Sequence, residues 1–332
     1  MSSKDLFLVL GANSFSGASF VKFLLDRKID VIATSRSPQP HQALLPYAWG
    51  RNLTKVEFHL IDLNHDLEKL RTIIEKKNPG YVVNFAAQSM VGQSWEFPQD
   101  WMNTNVLGAL NLFDLLRRHS GLKKYVHVTT PEVYGSTNGW IEENDHYRPS
   151  TPYAVSRAAS DMVLRTYVDQ YNFPAVSTRA ANVYGPGQQL YRIIPRTILA
   201  AMTGKKLVLD GGGSSTRVFI HMDDVSDATF RVAQFGSVGE CYHISGNELI
   251  SIADCVKQIV FSLNKSFEDC VVTGPERAGK DTTYMLNSNK IRSSLGWSDK
   301  ISLKEGIKET IEWMERFKHA FSELPTNYVH KK

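Results

Sequence analysis

Leu6-Phe-Leu-Val-Leu10 runs directly into Gly11-Ala-Asn-Ser-Phe-Ser-Gly17, and Ala18-Ser-Phe-Val-Lys-Phe-Leu-Leu25 follows with apolar residues at helical spacing. A short unbroken apolar run is the pattern of a parallel strand covered on both faces. Strand, glycine turn and helix in that order predict a βα unit whose helix N-terminus can receive a pyrophosphate. Gly11 lets the backbone turn tightly and Gly17 lets helix and strand pack closely, so Gly11, Asn13, Ser14, Phe15, Ser16 and Gly17 are candidate dinucleotide contacts. The plain alternative is a βα turn that binds nothing.

The next strand, Val31-Ile-Ala-Thr34, ends in Ser35-Arg-Ser37. An Asp or Glu about twenty residues past the glycine turn normally meets a free ribose 2′-hydroxyl, whereas an Arg meets a 2′-phosphate. Ser35, Arg36 and Ser37 thus favour NADP over NAD; in the alternative, Arg36 is a solvated loop cation and NAD is held by other contacts. Val56-Glu-Phe-His-Leu-Ile61 is a third strand, ending in Asp62 and Leu63 where an acid can meet the adenine amine. An amphipathic helix from Leu67 to Lys77 precedes a fourth strand, Tyr81-Val-Val-Asn-Phe85, which enters Ala86-Ala87, small residues against which a flat cofactor can lie. Gln88 opens a polar loop that runs to Ser94, with Gln88 on the cofactor side and Ser89 and Val91 facing a sugar. Asn105 to Arg118 reads as one long amphipathic helix whose apolar positions, with those of the helix carrying Tyr153, are either a dimer seam or core.

Three further strands fit the scheme: Tyr125 to Val128, Ala175 to Thr178 and Glu240 to Ile244. Strands and helices alternate to about Arg179, which predicts an α/β fold, a Rossmann-type doubly wound parallel sheet. Past Asn182-Val-Tyr-Gly-Pro-Gly187 the pattern loosens into helices at Arg192–Met202 and Ser251–Leu263 and a short strand at Lys206–Leu209. Ser302-Leu-Lys-Glu305 has capping-box spacing and opens a helix to about Phe317. The expected division is a dinucleotide-binding domain, 1–180 plus about 218–247, and a smaller C-terminal α/β substrate lobe, about 181–217 plus 248–320. The tail from Pro325 to Lys332 carries no periodic pattern and is expected to be loose.

At 332 residues, with 42% hydrophobic and 22% charged residues, the chain has the composition of an ordinary globular protein. Its formal charge of +4 is spread along the chain, without the basic, aromatic-interleaved stripe of a nucleic-acid binder. No apolar run approaches the length of a membrane span, and the first residues lack signal-peptide organisation. Cys241, Cys255 and Cys270 form no metal or disulfide spacing and read as buried thiols in a reducing compartment. A cytoplasmic protein without a metal site is expected.

The chemistry concentrates in Thr129-Thr-Pro-Glu-Val-Tyr-Gly135, at the end of a predicted strand, and in Tyr153-Ala-Val-Ser-Arg157, at the start of a predicted helix after Pro149-Ser-Thr-Pro152. A phenol and a cation four apart share a helix face, so Arg157 is expected to lower the pKa of Tyr153. With Thr130 and Glu132 they make a candidate acid/base site. Arg217, after a glycine-rich loop, and Arg277, in Glu276-Arg-Ala-Gly-Lys-Asp281, offer guanidinium forks for diphosphate oxygens, or else serve as surface ion-pair partners.

Together with Asn84-Phe-Ala-Ala-Gln-Ser89, Ser156-Arg-Ala-Ala-Ser-Asp161, Asn182-Val-Tyr-Gly-Pro186 and Lys290-Ile-Arg-Ser-Ser-Leu-Gly-Trp297, these motifs resemble the extended short-chain dehydrogenase/reductases, and within them the nucleotide-sugar 4,6-dehydratases. The resemblance runs from Gly11 to Trp297. It implies a homodimer, a recycled NADP or NAD and a nucleotide-diphosphate hexose as substrate. It also implies that Tyr153 takes the C4-hydroxyl proton, that Thr130 holds that hydroxyl, and that Glu132 removes the C5 proton as water leaves C6. Asn182, Arg217, Arg277 and Asp281 are implied for the nucleotide diphosphate.

Three residues depart from the family pattern. Ser14 stands for the middle glycine of the turn, Arg157 for the lysine paired with the tyrosine, and Pro131 for the Asp that serves as acid in dTDP-glucose dehydratases, an Asp that GDP-mannose dehydratases also lack. A 4-epimerase or 4-reductase needs Tyr153 and Thr130 but has no use for Glu132. A silent dinucleotide binder needs none of the three.

Overall fold

The computed structural model describes residues 5–50, 56–275 and 284–331. In chain order its elements are β1 (Phe7–Leu10), α1 (Phe15–Asp26), β2 (Val31–Ser35), β3 (Val56–Leu60), α2 (Leu67–Lys77), β4 (Tyr81–Asn84), α3 (Gln93–Glu96), α4 (Pro98–Met102), α5 (Ala109–Leu116), β5 (Lys124–Val128) and β6 (Trp140–Ile141). There follow α6 (Pro152–Tyr171), β7 (Ala175–Ala180), β8 (Asn182–Tyr184), α7 (Ile193–Thr203), β9 (Leu207–Asp210), β10 (Thr216–His221), α8 (Met222–Phe235), β11 (Cys241–Ile244) and β12 (Leu249–Ser251). The last are α9 (Ile252–Ser262), α10 (Phe267–Cys270), β13 (Val271–Gly274), β14 (Met285–Leu286), α11 (Asn289–Leu295) and α12 (Leu303–Arg316).

Seven strands form one sheet in the order β11-β7-β5-β4-β1-β2-β3, and each pair is parallel. The doubly wound parallel sheet read from the sequence is therefore present. Alternate residues of β1 explain why its sequence is apolar throughout: Phe7 and Val9 pack with α1 and α8 through Phe20, Leu24 and Val232, while Leu8 and Leu10 pack with α2 and α5 through Ile74, Leu112 and Phe113. From β1 the chain winds one way through β2 and β3 and the other way through β4, β5, β7 and β11, so strand order reverses between β1 and β4. Ligands of such sheets bind outside the carboxyl ends of the strands at that point.

The remaining strands form smaller sheets, β12-β10-β8, β13-β9 and β14-β6. A second core of Ile194, Ile198, Ile259, Ile307, Ile311 and Trp313 joins α7, α9 and α12. The capping box at Ser302 and Glu305 opens α12, each side chain bonding the other residue's backbone N–H. No helix among the described residues is long and apolar enough to cross a membrane.

The structure corrects three readings. The helix expected from Asn105 is interrupted: Asn103–Gly108 is a π-helical turn between α4 and α5, and it turns Asn105 inward, where its side chain accepts from Gln88 N at 2.8 Å and donates to Gln88 O at 2.9 Å. Cys255 and Cys270 are buried, but Cys241 is partly exposed on the edge strand β11. The tail is not loose: Tyr328, His330 and Lys331 make side-chain and backbone contacts with the rest of the chain.

Candidate active site

The register of the sheet brings the sequence motifs to one edge. Leu10 pairs with Thr34 on one side and Asn84 on the other, so the turn after β1 lies between the ends of β2 and β4. Gly11 has φ +79°, and a Cβ there would lie 2.6 Å from Ala86 N; at Gly17 a Cβ would lie 2.3 Å from Gly11 O. Both glycines are fixed by close approach. Ser14 is the N-cap of α1: its Oγ accepts from Gly17 N at 3.0 Å and donates to Gly11 O at 2.7 Å. Serine at the middle-glycine position thus locks the turn and leaves the helix N-terminus facing the cleft.

A cavity of about 350 Å³ opens there. Gly11, Asn13, Ser14, Ser35, Arg36, Ser37, Asp62, Leu63, Ala86 and Ala87 line it. Asn13 Nδ2 donates to Ser37 O at 2.7 Å, tying the glycine turn to the end of β2, and Asp62 Oδ1 accepts from Asn64 N at 2.8 Å. Phe15, Ser16, Gly17 and Gln88 are not among its lining residues: Phe15 joins the core beneath α1, and Gln88 is buried against Asn105. Pro325, Asn327, Tyr328, Val329 and Lys331 also line the cavity, and no sequence pattern foretold them.

The catalytic candidates converge at the end of β5. Thr151 caps α6, its hydroxyl accepting from Ala154 N at 3.1 Å, and this places Tyr153 and Arg157 in the first turns of the helix. Tyr153 is 8% exposed and hydrogen-bonded with Thr130. Pro131–Tyr134 is a 3-10 turn capped by the Thr130 hydroxyl, which accepts from Glu132 N at 3.3 Å. Pro131 at the first position of that turn presents no N–H and leaves Glu132 beside the phenol.

Arg157 lowers the pKa of Tyr153 as expected, but the net shift is upward. Burial pushes its pKa above the ordinary value, the nearby Glu132 charge adds to the rise, and Arg157, Thr130 and Arg192 only partly offset it. Arg157 is 3% exposed, and its guanidinium donates to Val128 O, the last carbonyl of β5. Arg192, at the N-cap of α7, is a cation near the phenol that sequence reasoning missed, because nothing local joins Arg192 to Tyr153.

Beneath these residues lies a buried polar network. Arg179 Nη2 donates to Asp161 Oδ2 at 2.9 Å and to Tyr147 OH at 2.7 Å, and Nη1 donates to Tyr134 OH. Asp161 Oδ2 also accepts from Thr129 Oγ1 at 3.1 Å, so the pair holds the chain one residue before Thr130. Two signals could have found it: a cation inside the mostly buried strand β7, and an acid one helical turn past Arg157.

On the lobe side, Asn182 and Phe219 are paired neighbours of β8 and β10, and Tyr284 OH donates to Asn182 Oδ1 at 2.7 Å. The Arg217 guanidinium lies 5.2 Å from the Tyr284 ring centre. Asn182 and Arg217 are thus brought together around Tyr284, which the sequence analysis did not single out. Ser89 is exposed and Val91 half-buried in the loop after β4. Arg277 and Asp281 lie outside the described residues.

The family described as GDP-mannose 4,6 dehydratase matches residues 8–310. A dTDP-glucose 4,6-dehydratase of Haemophilus influenzae is 29% identical over 92% of this chain and 96% of its own. The human dTDP-D-glucose 4,6-dehydratase is 34% identical over 75% and 72%. The crystal structure of DesIV, a dTDP-glucose 4,6-dehydratase from Streptomyces venezuelae with NAD and dTDP bound, superposes with a TM-score of 0.87 at 29% identity, covering 95% of this chain and 98% of that one. A UDP-glucose 4-epimerase from Thermotoga maritima, at 24% identity and a TM-score of 0.84 over 94% and 99%, shares the fold. With the glycine turn, the strand-end Thr-x-Glu and the buried tyrosine of α6 all within the matched residues, this chain belongs to the GDP-mannose 4,6-dehydratase family of short-chain dehydrogenase/reductases.

Proposed function

We propose that the protein is an NDP-hexose 4,6-dehydratase, a hydro-lyase that turns a nucleoside-diphosphate hexose into its 4-keto-6-deoxy derivative. The observation that carries the reading is Glu132 set beside the buried Tyr153–Thr130 pair, a base that 4-epimerisation or 4-reduction does not need. Tyr153 takes the C4-hydroxyl proton while Thr130 orients that hydroxyl. The C4 ketone acidifies the C5 proton, which Glu132 removes as C6 loses water. Pro131 has no proton to give, so the proton that Glu132 has gained, or a water, supplies the leaving hydroxide. A nicotinamide dinucleotide, when bound, would accept the C4 hydride and return it to C6 while C5 takes a proton from Glu132 or from solvent, and would thereby be recycled.

The glycine cradle and the lining of the cleft fit that dinucleotide: the Gly11–Gly17 turn and the α1 N-terminus for the pyrophosphate, Asp62 and Leu63 for adenine, Ala86 and Ala87 for the flat rings. Ser35, Arg36 and Ser37, with no acid at the end of β2, support NADP. NAD is the second reading, favoured by its presence in the DesIV structure. The mass of the cofactor released from purified protein separates the two by one phosphate. Asn182 and Arg217, with Arg277 and Asp281, are the residues we assign to the nucleotide diphosphate, and Ser89 and Val91 to the sugar. In this division residues 1–180 and about 218–247 hold the cofactor and the lobe holds the sugar nucleotide.

Exposed Leu107, Val155 and Met162 on the adjoining α5 and α6 regions support a homodimer through these helices. Sedimentation at working concentration showing only monomer refutes it. The activity is tested by mass spectrometry of GDP-, UDP- and dTDP-hexoses incubated with the protein. Loss of one water from one donor is expected in wild type. Undiminished loss in Glu132→Gln refutes the assignment.

A further inference from the structure

The segment 325–331 has no helix or strand, yet it is held at several points. His330 stacks on Phe97 with ring centres 4.6 Å apart and planes 3° from parallel, and its Nε2 meets Asp100 Oδ2 at 2.7 Å. Tyr328 meets Tyr191 edge to face at 5.9 Å. The Lys331 carbonyl accepts from Arg36 Nη2 at 3.0 Å and from Gln88 Nε2 at 2.7 Å.

Arg36 follows β2 and Gln88 follows β4, with β1 between them in the sheet, so this one carbonyl bridges the mouth of the cleft over the glycine turn. It occupies the guanidinium best placed for a ribose phosphate. The cavity left beneath, about 350 Å³, is at the low end of the roughly 300–1,000 Å³ that receive drug-sized ligands, and a dinucleotide is larger than these. Segment and dinucleotide therefore claim the same donor and the same space.

We propose that residues 325–331 form an intramolecular strap that closes the dinucleotide cleft and must lift before the cofactor enters. This rests on the assignment of the cleft to a nicotinamide dinucleotide. Closure lowers the apparent affinity by the fraction of chains in which the strap is up, and by reciprocity bound cofactor holds the strap open. The strap has no helix or strand and Val329 is exposed on it, so the effect is modest, about ten- to a hundredfold.

The test is calorimetric binding of NADP⁺ and NAD⁺ to cofactor-free protein in three forms: intact, ending at Leu324, and His330→Ala. The last variant removes the stack on Phe97, the bond to Asp100 and a contact with Tyr328, while every residue that lines the cleft keeps its identity. Both variants should bind the preferred dinucleotide at least about tenfold more tightly than the intact chain. Chymotrypsin cleavage after Tyr328, followed by mass, should speed up when the intact chain is saturated with dinucleotide. Equal or weaker binding by the two variants, or protection of Tyr328 by dinucleotide, overturns the strap and makes the segment a lid over bound cofactor. If none of the three forms binds either dinucleotide, the cofactor assignment falls and the strap falls with it.

Discussion

Asp161 and Arg179 are the sharpest test of how the site is held. Their side chains are 3% and 2% exposed and joined at 2.9 Å. His127, 3.5 Å from Asp161 Oδ1, supplies no second cation, because burial drives its pKa well below the ordinary value. Asp161 Oδ1 and Arg179 Nε lack hydrogen-bond partners among the described residues, so the pair is incompletely satisfied and its net worth against an apolar pair is small. Removing one partner is another matter: Asp161→Asn keeps the size and an acceptor for Thr129 but leaves a buried guanidinium uncompensated, at about 3–5 kcal/mol. At about 2.1 cal/mol/K of unfolding entropy per residue, 332 residues give roughly 0.7 kcal/mol/K, so the expected fall in Tm is about 4–7 °C. Arg179→Met should cost a similar amount, and the double variant at least about 1 kcal/mol less than the sum, since neither charge is left alone. Differential scanning calorimetry reads all three. A Tm within about 1 °C of wild type for Asp161→Asn, or strictly additive losses, would refute the reasoning.

The phenol of Tyr153 titrates above its ordinary value, with burial and Glu132 raising it and Arg157 lowering it. The oxidative half-reaction, followed as slow cofactor reduction in Glu132→Gln, should therefore reach its alkaline plateau at lower pH than in wild type, and in Arg157→Met at higher pH; a shift of the opposite sign in either variant excludes the electrostatic account. Ser14→Ala removes the cap of α1 and should cost about 1 kcal/mol in chemical denaturation, whereas Ser14→Gly should cost a few tenths. Gly17→Ala drives a Cβ onto the Gly11 carbonyl, so dinucleotide binding should be lost in a fluorescence titration. Arg36→Ala should weaken NADP⁺ about 10- to 100-fold relative to NAD⁺; an equal change for both would remove the 2′-phosphate role.

What could be read from the sequence is what short-range physics encodes. The unbroken run Phe7–Leu10 specifies a strand buried on both faces, and a glycine whose Cβ has no room next to Ala86 specifies the turn that follows. Such features need only neighbours along the chain or a regular partner, so the sheet and the glycine turn at its edge are legible. The net direction of the Tyr153 shift is not, because helix spacing correctly puts Arg157 on the face of Tyr153 but is silent about burial and the Glu132 charge, which together outweigh its attraction. Arg192 and Tyr284 come to the site from parts of the chain far from it in sequence, where spacing carries no information. The tail fails for a different reason. Absence of periodicity is not absence of order: a segment without helix or strand is ordered wherever its backbone carbonyls meet donors that the fold has fixed for another purpose. Arg36 and Gln88 are such donors: strand ends expose them for an acceptor, and the chain's own Lys331 carbonyl is an acceptor tethered within reach. A ligand must therefore bind better than this tethered acceptor, and the contest is set by the difference between the two interactions rather than by either one alone.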